Sequence, residues 1–436
     1  MTTIAVAQSW GDALDALVEG IAQRFRRVEA RRRAGSYLRG LLAPLERKNG
    51  WHLAEAAGDR SPAAVHDFLT RMRWDADAVR DDLLAYVGDH LGDQGAVLVL
   101  DETGFLKKGC RSVGVKRQYS GTAGRIENCQ VAVFLGYASR HGRVLVDRAL
   151  YLPEDWTADE ARRRAAGIPE DITFATKPKL GRAMLERAVA AGLPCAWVTA
   201  DSVYGGDYLL RLWLERLPLG YVVAVTSKQR APMGFDTVKD RTAARIQATD
   251  WMRLSAGDGA KGPRLYDWAH KAYPSMREGW SRGLLVRRSI SQPDKLTYYL
   301  TFAPDGTPVA ELVRIAGTRW TIESCFEAAK GEVGLDQYEV RTWTAWHRHV
   351  TLALFALAFL TVVRAAAIGG RGADRSAGRI PAAHRAGDPP PARRPRRSGT
   401  PRARRRYHVV VVAKTPSERA RRSHWKRRAQ TCDPQL

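Results

Sequence analysis

Two runs set the frame: the continuous apolar 96–100 (Ala96, Val97, Leu98, Val99, Leu100) and a second buried-strand run at 195–200 (Cys195, Ala196, Trp197, Val198, Thr199, Ala200). A strand with one wet face alternates apolar and polar residues, so a run without alternation fits a strand buried on both faces. Such strands need cover above and below, and the chain is expected to build an α/β core around them. Each run ends on an acid, Asp101 followed by Glu102 in the first and Asp201 in the second. Acids at the ends of buried strands project from a sheet edge into a cleft.

A third acid lies on a helical pattern far downstream. Ile322, Phe326, Ala329 and Val333 form an apolar stripe at helical spacing. At about 100° per residue, Arg319, Glu323 and Lys330 fall within roughly 40° of one another on the flank of that helix. The helix can therefore bury one side and present a carboxylate between two cations. An exposed Arg–Glu pair on a solvated helix gives the same spacing; the two upstream acids favour the site reading. Three carboxylates brought together repel unless a cation separates them. Hard oxygen ligands of this kind suit Mg²⁺ or Mn²⁺. Arg319 and Lys330 stand one turn before and two turns after Glu323, placed to hold phosphate oxygens.

The rest of the chain supplies the surroundings. Residues 10–90 read as helical, with arginines dense at Arg24, Arg26, Arg27, Arg31, Arg32 and Arg33. A short helix through Trp51, a turn at Gly58 and a second helix opened by Ser61-Pro62 resemble a helix-turn-helix, a pattern that any small helical bundle shares. Strand-like segments at 112–119, 130–137 and 143–151, with glycines at the turns, predict an antiparallel meander. Helical patterns follow at 157–166 and 180–191. Between Tyr204 and Glu323 lie about 120 residues with β-like segments at 221–226, 283–288 and 296–302. They read as a mostly β insertion. Residues 350–363 are strongly apolar, yet about 14 residues fall short of the roughly 20 that span a bilayer; a buried helix is expected and no membrane partner.

The formal charge of +24 points to a polyanion, with nucleic acid as the default. Residues 371–436 hold 19 Arg and Lys against 4 Asp and Glu, a net of +15, which leaves +9 for the remainder. The Arg/Pro-rich tail is expected to be disordered, either as a nucleic-acid-binding extension or as the product of a disrupted reading frame. Five widely spaced cysteines without zinc spacing, and no signal segment, lead to the expectation of a reduced, intracellular protein without structural zinc.

The order strand-Asp, long gap, strand-Asp, β insertion, helix-Glu resembles the DDE transposases, in particular those with a β domain inserted before the Glu. Arg319, Glu323 and Lys330 match the arginine, glutamate and lysine of that group's YREK signature in spacing; Ala316 stands where its tyrosine belongs. Residues 100–109 (LDETGFLKKG), 113–121 (VGVKRQYSG), 199–205 (TADSVYG) and 330–341 (KGEVGLDQYEVR) resemble more closely one branch, the bacterial insertion-sequence group seven-hundred-and-one, related to the insertion-sequence-four type.

The resemblance covers roughly residues 20–365 and implies an RNase H-like core, a mixed sheet flanked by helices. Its expected layout is a helical, DNA-binding 1–92, core at 93–205, β-rich insertion at 206–305, catalytic and C-terminal helices at 306–366, and the disordered basic tail at 367–436. It implies Asp101, Asp201 and Glu323 as catalytic metal ligands, with Mg²⁺ or Mn²⁺. The implied partner is double-stranded DNA, both element ends and target, bound in a homodimer or larger assembly in the bacterial cytoplasm at the nucleoid. Arg319, Lys330, Lys107, Lys108, Lys116 and Arg117 are the expected DNA-binding set. Trp197 and Trp320 are candidates for base stacking but more expected in the core; His347 and His349 are expected at the surface, within reach of DNA. Two alternatives stay open: a nuclease that cuts without strand transfer, and an inactive DNA-binding remnant or regulator of the element.

Overall fold

The computed structural model describes residues 3–232, 234–259 and 262–376. The expected disordered tail lies outside the described residues from 377 onward, and 367–376 continue the helix Trp343–Ser376.

One ten-stranded sheet organises the unit that spans Met1–Ala365. Its strands are β1 Val97–Leu106, β2 Lys116–Ser120, β3 Arg125–Ala138, β4 Arg143–Tyr151, β5 Trp197–Ala200, β6 Gly220–Val225, β7 Met252–Gly259, β8 Gly262–Pro274, β9 Trp280–Arg288 and β10 Leu296–Pro304. The order across the sheet is β2-β3-β1-β5-β6-β10-β9-β8-β7, with β4 also pairing with β3. Only β1–β5 and β5–β6 are parallel; every other pairing is antiparallel. Residues 97–100 and 197–200 are buried throughout, as their unbroken apolar pattern requires.

The predicted antiparallel strands form, but not as a meander: β1 lies beside β3 rather than β2, and β2 and β4 pair with successive stretches of β3. The β-rich segment does not form a sheet of its own: β10 pairs with β6, so β7 to β10 extend the central sheet. Two strands, β7 and β8, escaped the sequence reading because Gly257, Asp258 and Gly259 look like a loop. They form a hairpin whose register slips between Ser255 and Asp258.

The N-terminal helices Thr3–Gly20, Val28–Leu42, Gly50–Ala56, Ala63–Thr70 and Ala76–Leu91 share the sheet's core. Asn49 and Asp75 cap two of them by accepting from the backbone N–H of His52 and Asp77. Phe25, Phe68 and Trp74 pack ring against ring at 5.1–6.0 Å. The helix Ala63–Thr70 buries Val65, Phe68 and Leu69, and Arg348 donates to the carbonyls of Leu69 and Trp74. The turn pair read as a helix-turn-helix is thus locked to the C-terminal helix.

By length and composition, Trp343–Ala367 is apolar enough to cross a membrane. Every residue from 350 to 359 is nevertheless buried in protein, which is the expected buried helix.

A close approach pins the sheet extension to the helix that precedes Arg319. Gly317, in the helix Val309–Thr318, lies against the backbone of Ala256 on β7, with no room for a Cβ beside the Ala256 carbonyl. Gly317→Ala is expected to destabilise the protein by about 3 kcal/mol, read as a lowered urea midpoint. Gly331→Ala, whose Cβ meets nothing within 4 Å, is expected to leave that midpoint within error or slightly raised.

Candidate active site

Parallel pairing of β1 with β5 aligns Leu100 with Ala200. The residue after each is an aspartate, Asp101 within β1 and Asp201 just past the end of β5, so the two stand close together. Their chain separation hides this; the register creates it. Asp201 Oδ1 accepts from the Val203 N–H at 2.9 Å, capping the short helix Ser202–Gly205. Asp101 Oδ1 accepts from the Glu102 N–H at 2.8 Å, and Oδ2 faces Arg319.

Arg319 links this pair to the third acid. One guanidinium nitrogen lies 3.5 Å from Asp101 Oδ2 and the other 3.6 Å from Glu323 Oε1, so Asp101 and Glu323 lie within the reach of a single guanidinium. Asp101 and Arg319 are largely shielded, whereas the Glu323 side chain is 59% exposed. Among the described residues, no three His, Cys, Asp or Glu side chains are drawn tightly enough together to hold a metal ion. Burial, with the Asp201 charge adding to it, pushes the Asp101 carboxyl up to about 7. Asp201 is raised as well, by burial first and by the Glu102 charge second.

Glu102 points the other way, as strand alternation demands. Lys177 Nζ at 2.6 Å and the Tyr204 hydroxyl at 2.7 Å both donate to it. Neither partner was foreseen. Tyr204 sits within the Asp-Ser-Val-Tyr-Gly segment itself, but Lys177 meets Glu102 across 75 positions, and only the fold brings them together.

The remaining predicted residues divide by exposure. Lys108 and Arg117 are exposed; Lys116 is exposed and pairs with Asp155 at 2.6 Å. Lys107 is half-buried, its ammonium 3.6 Å from the centre of the Tyr338 ring, and burial lowers it to about 8. Lys330 is also half-buried, donating to Thr103 Oγ1 at 2.8 Å and to the Gly104 carbonyl and Thr122 Oγ1 at 3.3 Å. Trp197 is buried in β5. Trp320 is half-buried, stacked on Tyr266 with the guanidinium groups of Arg264 and Arg287 at 4.8 and 5.2 Å from its ring.

The histidines depart from expectation. His349 is fully buried between the Tyr37 hydroxyl at 2.7 Å and the Gly334 carbonyl at 3.2 Å, and His347 bonds the Trp343 carbonyl at 2.9 Å. Burial lowers His347 to about 3 and His349 to about 4, so both are neutral; His349 is enclosed by protein and His347 is partly covered.

The family model of the DDE superfamily endonucleases matches residues 21–247, more than half of the chain. The chain belongs to this family. It is an enzyme of the DDE transposase type. A curated relative, a probable transposase for insertion sequence element IS701 from Microchaete diplosiphon, is 26% identical over 306 residues, which take in 69% of this chain and 74% of the relative. Among solved structures, a cryo-EM structure of the piggyBac transposase synaptic complex with hairpin DNA aligns with a TM-score of 0.43 and 11% identity, over 79% of this chain and 67% of that one.

The raised Asp101 carboxyl links stability of this DDE enzyme to pH. A folded-state value above the ordinary 3.8 gives stabilisation that is complete below 3.8 and lost as pH rises through about 7. In chelator, unfolding free energy should fall by at most about 4 kcal/mol over that window, and Asp101→Asn should flatten the fall. Denaturant titrations at pH 5 and pH 8 read both; equal slopes for the two proteins would refute the linkage.

Proposed function

We propose that the enzyme cleaves the ends of a mobile DNA element and joins the freed 3′-hydroxyls to target DNA, with Asp101, Asp201 and Glu323 holding divalent metal. The observation that carries this reading is the placement of Asp101 beside Asp201 on paired parallel strands, with Arg319 between Asp101 and Glu323. We read the β3-β1-β5-β6 part of the sheet, with its flanking helices, as an RNase H-like core.

The residues fit a hard divalent cation. All candidate donors are carboxylate oxygens, two of them shielded from water and raised in proton affinity, and a guanidinium already sits between two of the three acids. Mg²⁺, or Mn²⁺ in its place, would activate the attacking oxygen and stabilise the leaving oxygen of a phosphodiester when bound. Arg319 reaches its two acids only at 3.5 and 3.6 Å, beyond good hydrogen-bond length, so it is free to turn to phosphate oxygens. Lys177 and Tyr204 keep Glu102 out of the donor set. Exposed Lys108, Lys116 and Arg117 attract the duplex, with double-stranded element ends and target as the partners. The enzyme acts as a homodimer or larger assembly at the bacterial nucleoid, since two element ends must be held together.

Asp201→Ala should lower Mg²⁺-dependent cleavage of a duplex carrying the element's ends by roughly 10³-fold. Wild-type activity in that variant would eliminate the site. Joined products on labelled ends separate a transposase from a nuclease that only cuts. Duplex affinity should also drop steeply between low and physiological salt, and a flat isotherm would argue against a phosphate-tracking surface.

A further inference from the structure

We infer that the hairpin of β2 and the first half of β3 is an arm that grips duplex DNA beside the cut, and that Lys330 is the positioning residue that holds this arm next to Asp101. The inference rests on the reading above in taking DNA as the partner.

Strand register places the arm. Tyr119 pairs with Ile126 and Arg117 with Asn128, while Asp101 pairs with Phe134. Paired residues share a face and faces alternate by two along a strand. Tyr119, Ile126, Arg117 and Asp101 therefore share one face of the sheet. Tyr119 is 65% and Ile126 60% exposed, an aromatic and an aliphatic side chain left open together at the end of a hairpin.

Charge identifies the partner. Residues 106–125 hold six cations and no acid. Lys116 pairs with Asp155 and Arg125 with Glu127; Lys108, Arg111 and Arg117 make no ion pair among the described residues. An apolar pair with the unpaired Arg117 on the same face, in a segment that carries two further unpaired cations, suits the sugar-phosphate walls and base edges of a duplex groove.

Lys330 couples this arm to the chemistry. Its ammonium donates to Thr103 and Gly104 on β1 and to Thr122 in the hairpin turn, and the Thr103 and Thr122 hydroxyls lie 3.2 Å apart. An ammonium has three donors, and all three have protein acceptors here. Lys330 thus stitches the turn to a point two residues beyond Asp101. Thr122 is three positions along the chain from Tyr119, so Tyr119 lies within roughly 25 Å of Asp101, less than one turn of duplex at ~34 Å.

The test uses the full chain and a fluorescein-labelled random-sequence duplex without metal, so that binding is read apart from cleavage. In the wild type, hydrogen exchange at residues 116–128 should slow when duplex is added; protection elsewhere with none there overturns the proposal, whatever the variants do. Tyr119→Ser with Ile126→Ser should weaken binding about tenfold, and Arg117→Ala should reduce the log–log salt slope by about 1. Wild-type affinity in the double variant, together with sedimentation as a smaller species, would make the face a subunit interface and refute DNA gripping. Lys330→Met should hold affinity within about twofold yet scatter the cut positions on a duplex carrying the DNA that flanks the coding region; loss of affinity with unchanged positions would make Lys330 an ordinary phosphate contact. Wild-type cleavage by Asp201→Ala would remove the proposed chemistry and leave the arm's binding result standing.

Discussion

Two aspartates held side by side in a shielded place create an electrostatic conflict, and the surroundings of the site follow from it. Burial alone disfavours the charge of Asp101, and the neighbouring Asp201 makes it worse. A third carboxylate, Glu102, adds to the repulsion on both aspartates, although it is turned to the opposite face and bonded there by Lys177 and Tyr204. Arg319 answers the remaining charge, at distances that give attraction without firm hydrogen bonds. A cation held so loosely is an exchangeable one, and that is the property a metal-dependent site requires of its resting state.

Such a conflict persists only on a stiff support, and the helix Lys177–Ala190 supplies part of it from both ends. Its first residue holds Glu102. Near its last turn, Arg187 donates to Asp147 of β4 at 2.9 Å. Asp147 is fully buried, with Arg148 at 3.6 Å and Arg80 at 3.8 Å, and Arg148 in turn meets Asp77 at 2.8 Å. Removing one partner from such a buried group leaves an uncompensated charge, so the cluster ties together a strand and two helices in one arrangement. It also lowers the Asp77 carboxyl through Arg148 and Arg80, although burial of Asp77 opposes them.

Much of this was legible in the residues, for physical reasons that differ by element. Unbroken apolar runs announced β1 and β5, because burial on both faces removes the alternation that loops and edge strands keep. The stripe at Ile322, Phe326 and Ala329 announced the helix that carries Glu323, and the structure buries all three. What stayed hidden depends on register or on distant partners. No local pattern reveals that Leu100 aligns with Ala200, that Lys177 crosses to Glu102, or that Lys330 meets the hairpin turn. His349 was misjudged because polar residues beside Trp346 look like a surface. Its buried place depends on Tyr37, 312 positions away. The hairpin β7–β8 was missed since its glycines, read as a joint, sit within paired strands at a register slip.

The continuous sheet makes the β-rich segment more than an appendage. Because β10 is hydrogen-bonded to β6, β7 to β9 are carried by the same sheet that carries Asp201. Gly317 brings the helix before Arg319 into backbone contact with β7, and Trp320, the residue after Arg319, stacks on Tyr266 of β8 beneath Arg264 and Arg287. The break between the helices Val309–Thr318 and Thr321–Gly331 falls at these two residues. The guanidinium at this break lies between two carboxylates, while the tryptophan next to it is held against two strands. Strands far along the sheet thereby hold the residues on either side of Arg319, and the position of the guanidinium that spans Asp101 and Glu323 depends on the sheet extension as much as on the helix that carries Glu323.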